Sequence, residues 1–292
     1  MQNIVNLFVL PIELFFIMKI KIIIPVYKET PNSFELISFI QGLKILKKYI
    51  FSLIIPLGLN VSFFEFHLKR LNVTYSIEQF DPAYFRNIYG YNRLMLSLEF
   101  YNRFIENDYL LIYQLDCYVF KDELDKWCSL GYDYIGAPWL YIKKEMHYFV
   151  GVGNGGLSLR NPKKMKHFLE SDNIKLNFKG YWKLYSNYTL LKKIIRIPKI
   201  LFYASGFKNN KVYFLEKVTF NEDYIFGFIS QYTGNKIKIP SEQTALKFSF
   251  DEFPNKLFEI NNNHLPFGCH GWFKSNEKID FWKKHIKDED II

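Results

Sequence analysis

Residues 110–116, LLIYQLD, constrain this chain more than any other stretch. A continuous apolar run with Asp108 before it and Asp116 closing it reads as a strand covered on both faces, as in a parallel α/β sheet. Ligands of open α/β sheets bind beyond the carboxyl ends of the strands. Asp116 therefore stands where a carboxylate meets a ligand or a metal instead of being sealed in the core.

Strand and helix alternate through the first 120 residues. KIKIIIPV at 19–26 is a first strand, followed by a turn marked by Pro31 and Asn32 and a helix with Leu36, Ile40 and Leu43 at helical spacing. Residues 50–56 form a second strand, 63–71 a helix and 74–79 a third strand. Residues 88–106 are the clearest amphipathic helix, with Leu94, Leu98, Tyr101 and Ile105 on one face. This is the pattern of a parallel, nucleotide-binding type of sheet. Farther on lie a short helix around 121–127, a strand at 132–136 and another at Leu157–Arg160. The last meets a helix with Asn161 as its N-cap and Pro162 at its first position. Residues 171–215 are rich in Lys, Tyr and Asn and poorly periodic. Together with a loop at 141–149 they are expected to form a mobile lid or acceptor-binding segment. With no repeat or linker, residues 18–285 read as one domain.

The 292 residues are 49% hydrophobic, ample for a core, and the 30 Phe and 21 Tyr read first as core packing. The net charge of +9 comes from scattered lysines with short clusters at 44–48, 163–166 and 192–196. No nucleic-acid motif accompanies them, so no nucleic-acid partner is expected. A solvated Lys-rich surface is the plain reading, and contact with an anionic membrane the best of the specific ones. Cys117, Cys128 and Cys269 are odd in number and lack a Cys-x-x-Cys pair. That fits a reducing compartment, the cytoplasm or the inner face of its membrane, and argues against a disulfide framework or a thiolate zinc site. Residues 4–18 are apolar, but Asn6, Pro11 and Glu13 interrupt them, with no basic residues before and no small-residue cleavage site after. Residues 1–17 read as an extension, or a short interfacial helix, ahead of MKIKIIIPVYKE, with Met18 a candidate start.

Four segments carry polar residues that a core does not explain. They are QLD at 114–116, GNGG at 153–156, NEDYIFG at 221–227 and PFGCHGWFK at 266–274. Each has a structural reading beside the chemical one. Asp116 suits a turn or cap, and GNGG, whose glycines permit positive φ and close backbone approach to a ligand, also suits a tight hairpin. Glu222 and Asp223 favour a helix N-terminus, and His270 suits packing among aromatics.

Taken in order, a strand-end carboxylate, a glycine turn, an acidic pair and a late histidine resemble a GT-A-type glycosyltransferase. The blocks YNRLMLSLEFY, LIYQLDCYVFKDELDKWCSLGYDYIGAPW, VGNGGLSLRN, NEDYIFG and LPFGCHGW, over about residues 75–275, are similar to those of a largely bacterial family of glycosyltransferase-like proteins catalogued as a domain of unknown function. The resemblance implies a GT-A-like α/β fold with a Rossmann-type, mixed, mainly parallel sheet flanked by helices. It implies transfer of a sugar from a nucleotide-sugar donor, expected to be a UDP-sugar, to a hydroxyl of a glycan or lipid-linked saccharide. Mn²⁺ or Mg²⁺ would be held by Asp116 and His270, hard oxygen and imidazole donors. Gln114 stands in place of the first acid of the fold's Asp-x-Asp motif, which weakens the donor set. Asp223 matches the general base of inverting members, leaving Glu222 for orientation or acceptor binding. Pro25, Tyr27, Asn92, Arg93, Gln114, Asn154, Gly155, Gly156 and Lys274 complete the expected donor site.

Two rivals remain. A nucleotidyltransferase shares the sheet, metal and nucleotide, but PVYKETPNS after the first strand offers one lysine and no glycine. A non-catalytic glycan- or nucleotide-binding protein takes its support from Gln114.

Overall fold

The computed structural model describes residues 18–143, 146–185, 188–217 and 220–286. The extension expected over residues 1–17 lies outside the described residues.

Strands β1 (Ile20–Pro25), β2 (Ile50–Pro56), β3 (Tyr75–Phe80) and β4 (Tyr109–Tyr113) run parallel in the spatial order β3-β2-β1-β4. The short β5 (Tyr118–Val119) leaves this sheet, and β6 (Tyr134–Ile135) returns to its far edge. Next, β7 (Ala137–Lys143) and β8 (Met146–Gly153) form an antiparallel hairpin. β9 (Leu157–Arg160) then inserts antiparallel between β4 and β6. The main sheet is thus β3-β2-β1-β4-β9-β6, mixed and mainly parallel. A second sheet, β10-β11-β5, joins β10 (Ser249–Phe250) and β11 (Gly268–Cys269) to the segment just after β4.

The unbroken apolar runs follow from burial on both faces. Ile22, Ile24, Leu53, Leu111 and Tyr113 face one layer, with Phe39 and Leu43 of α1 (Ser33–Ile45) and Phe64 and Leu68 of α2 (Ser62–Arg70). The alternate residues Ile23, Ile54, Leu110 and Ile112 face the other layer. There they meet Leu94 of α3 (Ile88–Met95), Phe100 of α4 (Leu98–Arg103) and, farther along the chain, Phe168. Helix α5 (Leu124–Ser129) adds Trp127 to the first layer, and Phe168 belongs to α6 (Pro162–Glu170). Each fully buried Leu or Ile of this kind contributes roughly 1.5–3 kcal/mol.

Local chemistry sets the helix starts. Asn32 and Glu35 make a reciprocal capping box at α1. The Asn161 side chain accepts from Lys164 N with Pro162 in the first turn, as the sequence leads one to expect.

Two expectations need correction. The single helix over 88–106 is two, because Ser97 caps a new start: its Oγ accepts from Phe100 N at 3.1 Å and donates to Leu94 O at 2.8 Å. The loop at 141–149 consists mostly of the ends of the β7–β8 hairpin. The poorly periodic 171–215 holds α7 (Phe178–Leu184), α8 (Leu190–Ile195) and α9 (Ile197–Ala204). Asn177 and Thr189 side chains cap the first two, and Pro198 opens the third, so each is too short to display a long period. Helix α10 (Glu222–Gly227) follows, then α11 (Glu242–Phe248), α12 (Pro254–Ile260) and α13 (Asn276–Trp282). Trp272 and Trp282 anchor the core of this last region.

Candidate active site

Chain order reverses laterally between β1 and β4, which makes their carboxyl ends the topological switch point of the sheet. A cavity of about 520 Å³ opens there. Pro25 and Tyr27 line it from the end of β1, and Gln114, Leu115 and Asp116 from the end of β4. Phe85, Arg86, Asn87, Ile88 and Tyr91 form a second wall, and Phe273 and Lys274 a third.

The small sheet brings His270 to Asp116. His270 N donates to Phe250 O at 2.9 Å, and Trp272 N donates to Asp116 O at 3.3 Å, so this turn is clamped onto the end of β4. His270 Nε2 lies 3.3 Å from Gln114 Oε1 and 3.4 Å from Asp116 Oδ1. Its Nδ1 lies 3.1 Å from Asp251 Oδ1. When Nδ1 carries the proton and donates to Asp251, Nε2 presents a lone pair to two oxygens. Such an arrangement calls for a cation. In this structure the Lys274 ammonium supplies it, 2.8 Å from Asp116 Oδ2 and 3.2 Å from His270 Nε2.

The glycine turn adjoins this cluster. Gln114 N donates to Gly156 O at 3.0 Å, joining the turn to the end of β4. Sequence reasoning expects positive φ at the glycines, but the left-handed residue is Asn154, at φ 71°. The glycines are needed for space. A Cβ on Gly155 would stand 1.9 Å from Glu222 Oε1, and one on Gly156 would stand 2.2 Å from His270 Cδ2 and Nε2. The room above both is therefore taken by protein side chains.

Helix α10 delivers the acidic pair in two different settings, as adjacent helical residues must. Glu222 is buried and accepts from Arg160 Nη2 at 2.8 Å, with both side chains sealed from solvent. Asp223 is only partly buried, and backbone donors pin it: Asn154 N to Oδ2 and Tyr224 N to Oδ1, each at 2.8 Å. Burial raises the Glu222 carboxyl above its usual range despite Arg160. It also raises Asp223, which the two backbone donors only partly counter. For Asp251, burial pushes upward, but His270, Lys278 and Lys274 together hold the carboxyl below the usual range.

Buried polar atoms normally find partners. Among the described residues six buried side-chain atoms have none; Tyr91 Oη, Asp116 Oδ1, Asn154 Nδ2 and Glu222 Oε2 belong to this neighbourhood, and the other two are the Nε1 atoms of Trp127 and Trp282. The orphaned atoms of this neighbourhood mark where a polar ligand would be satisfied.

Of the residues singled out in the sequence, Pro25, Tyr27, Gln114, Asp116 and Lys274 share the cavity, with His270 against it. Asn92 does not face it. Its Oδ1 accepts from Glu222 N and its Nδ2 donates to Asn221 Oδ1, so it ties α3 to the start of α10. Arg93 is exposed and outside the lining, where Arg86 and Lys274 are the cations. Sequence reasoning missed Asp251 and Arg160. Asp251 follows the apolar FSF, the same strand-end signal that picks out Asp116. Arg160 ends β9 without any local sign that its partner lies on α10.

Fold and site together define an α/β protein with a cavity at a sheet switch point, in which Gln114, Asp116 and Lys274 meet an otherwise largely apolar lining. The chain belongs to the family described as protein of unknown function (DUF5672), whose model matches residues 74–270. No protein of curated function matches it. Solved structures similar to it include the galactosyltransferase LgtC in complex with donor and acceptor sugar analogues, at 12% identity over 93% of this chain and 95% of that one, TM-score 0.49. Mouse xyloside xylosyltransferase 1 in its apo form is similar at 8% identity over 87% and 98%, TM-score 0.47. Core-mannan synthase A from Aspergillus fumigatus, in its Mn/GDP form, is similar at 8% identity over 53% and 63%, TM-score 0.39. The fold class rests on the strand order itself, and these similarities decide nothing about substrate.

Proposed function

We propose that this protein is a glycosyltransferase that moves a sugar from a nucleotide-sugar donor, a UDP-sugar by the family resemblance, to a hydroxyl of a glycan or lipid-linked saccharide. The observation that carries the reading is one neighbourhood holding two chemistries. A cation-seeking cluster of Asp116, Gln114 and His270 suits a diphosphate. An acidic residue, Asp223, stands next to it across the 154–156 turn.

A divalent ion fits the donor set. Asp116 Oδ1 is buried without a hydrogen bond, and His270 Nε2 lies 3.4 Å from it and 3.3 Å from Gln114 Oε1. A bound Mg²⁺ or Mn²⁺ would take the place of the Lys274 ammonium, which now sits 2.8 Å from Asp116 Oδ2 and 3.2 Å from His270 Nε2. Among the described residues no group of three His, Cys, Asp or Glu is placed to hold a metal, so the amide of Gln114 would be the third protein donor. Once bound, the ion would supply Lewis-acid neutralisation of the leaving diphosphate.

The chain's own groups carry the remaining work. Lys274, released from Asp116, places its ammonium on a phosphate oxygen and stabilises charge as the nucleotide departs. Pro25, Tyr27 and the Phe85–Tyr91 wall hold the nucleoside. Asp251 fixes the His270 ring through Nδ1. Asp223 takes the proton of the acceptor hydroxyl, aided by a raised pKa that makes it a better base than an exposed aspartate. Arg160 holds the buried Glu222 at the start of α10 and so fixes the placement of Asp223 beside it.

Titration with UDP, GDP and dTDP in the presence of Mn²⁺ tests the donor side. Binding of a nucleoside diphosphate that weakens in Asp116→Ala supports the assignment. Binding of none of them, by a folded protein, removes it.

A further inference from the structure

We propose that the segment between Asp172 and Glu216 is a docking surface for anionic phospholipid. The whole-chain charge of +9 arises from 38 Lys and Arg against 29 Asp and Glu. Between Asp172 and Glu216 the chain carries nine basic residues and no acidic one, so the rest of the chain is balanced at 29 of each. The excess charge of the protein is therefore gathered in this one segment.

Large apolar side chains stand out from the same place. On α8, Leu190, Leu191, Ile194 and Ile195 are 66%, 68%, 49% and 68% exposed. At 100° per residue these four fall within one side of the helix, while Lys192 and Lys193 fall on the other. On α9, Leu201 and Phe202 are 56% and 55% exposed. Lys192 and Arg196, one turn apart, line a recess of about 410 Å³ with Tyr188 and Ile195. Among the described residues none of Lys192, Lys193, Arg196 and Lys199 has a carboxylate partner. An apolar side bordered by lysine and arginine is the composition of helices that lie in a bilayer interface. No helix among the described residues is long and apolar enough to cross a membrane, so the contact would be peripheral.

Charge decides between the possible occupants. A second copy would bring a like-charged surface with no acidic residue to pair with it. A nucleic acid would satisfy the cations and leave the Leu and Ile side in water. Anionic lipid satisfies both, with headgroups at the cations and acyl chains at the apolar residues. The buried side of the segment, through Tyr181, Ile200 and Phe214, packs into the core that also holds Ile225 and Phe226 of α10. If the proposed transfer holds, docking would bring the acidic pair near a lipid-linked acceptor.

Sedimentation of the full chain with vesicles is the test. The probes are phosphatidylcholine vesicles with and without about 30 mol% phosphatidylglycerol. Binding should be at least about tenfold tighter to the anionic vesicles. It should fall by a similar factor in Leu191→Ser/Ile195→Ser and in Lys192→Glu/Lys193→Glu, with melting temperature unchanged. Equal binding to both vesicle types, or undiminished binding by both variants, overturns the proposal. So does duplex DNA binding as tight as the vesicle binding, or a dimer in sedimentation velocity that Leu191→Ser/Ile195→Ser dissociates. The measurement needs no donor or acceptor: vesicle binding without sugar transfer would leave this surface standing and remove the proposed activity.

Discussion

The guanidinium of Arg160 donates to Glu222 Oε1 at 2.8 Å inside a solvent-free pocket, 62 residues apart in sequence. Arg160 also donates to Ser158 and to the Tyr101 hydroxyl, so the pair is one part of a buried polar network. Removing one member of a buried ion pair leaves an uncompensated charge and costs roughly 3–5 kcal/mol. Glu222→Ala should therefore lower stability by that amount in urea denaturation. Asp223→Ala, whose partners are two backbone amides, should cost about 1–3 kcal/mol. Equal and small losses at both positions would show that Glu222 is not a structural anchor.

Gly156 makes a sharper test of the neighbouring turn. Because its missing Cβ would meet the His270 ring at 2.2 Å, Gly156→Ala must displace that ring. A displaced ring would weaken Mn²⁺-dependent binding of a nucleoside diphosphate while leaving the sheet intact. Calorimetric titration alongside a thermal melt separates the two effects. A variant that binds normally would mean that His270 takes no part in donor binding.

Asp223 and Asp251 respond to pH in opposite senses. The raised Asp223 carboxyl must lose its proton to act as a base, so the acid limb of kcat/KM should lie above the ordinary aspartate range and vanish in Asp223→Asn. On stability, the same raised pKa contributes below the unfolded value and is lost as pH climbs through the folded one. Asp251 is held low, so its contribution is present above the unfolded value and lost as pH falls through the folded one. Between roughly pH 5 and pH 2 the urea midpoint should thus fall less in Asp251→Asn than in the parent protein.

Asp251→Asn also removes the carboxylate partner of His270 Nδ1. Loss of such a partner typically weakens metal affinity by roughly 10–100-fold. Titration of Mn²⁺ in the presence of a nucleoside diphosphate measures it. No change would indicate that the His270 ring is oriented by its neighbours in the small sheet and not by Asp251.

Local signals in the sequence were the reliable ones. Residues 110–113 are buried on both faces because helices pack on each side of the sheet, and the apolar continuity of the run announces that. Asn161 and Pro162 mark a helix start through chemistry confined to three residues. Ser97 misleads because an amphipathic face continues across it while its hydroxyl caps a new helix. Arg160 was hidden because its meaning lies in an ion pair formed across the fold. Gly155 and Gly156 do not use the positive φ that glycine permits; what they give is space for Glu222 and His270, which only the folded chain reveals. Positions 190–195 show the limit of periodicity, since their apolar side faces outward instead of into the core.

The most direct test of the proposed activity is transfer itself. The protein is incubated with Mn²⁺, a UDP-sugar and a panel of saccharide acceptors, and release of UDP is followed with product mass. The parent protein should form an acceptor product heavier by one sugar residue. Asp223→Asn should bind donor normally yet transfer at least about a hundredfold more slowly. UDP-sugar binding without transfer to any acceptor, or transfer by Asp223→Asn at the parent rate, would contradict the account.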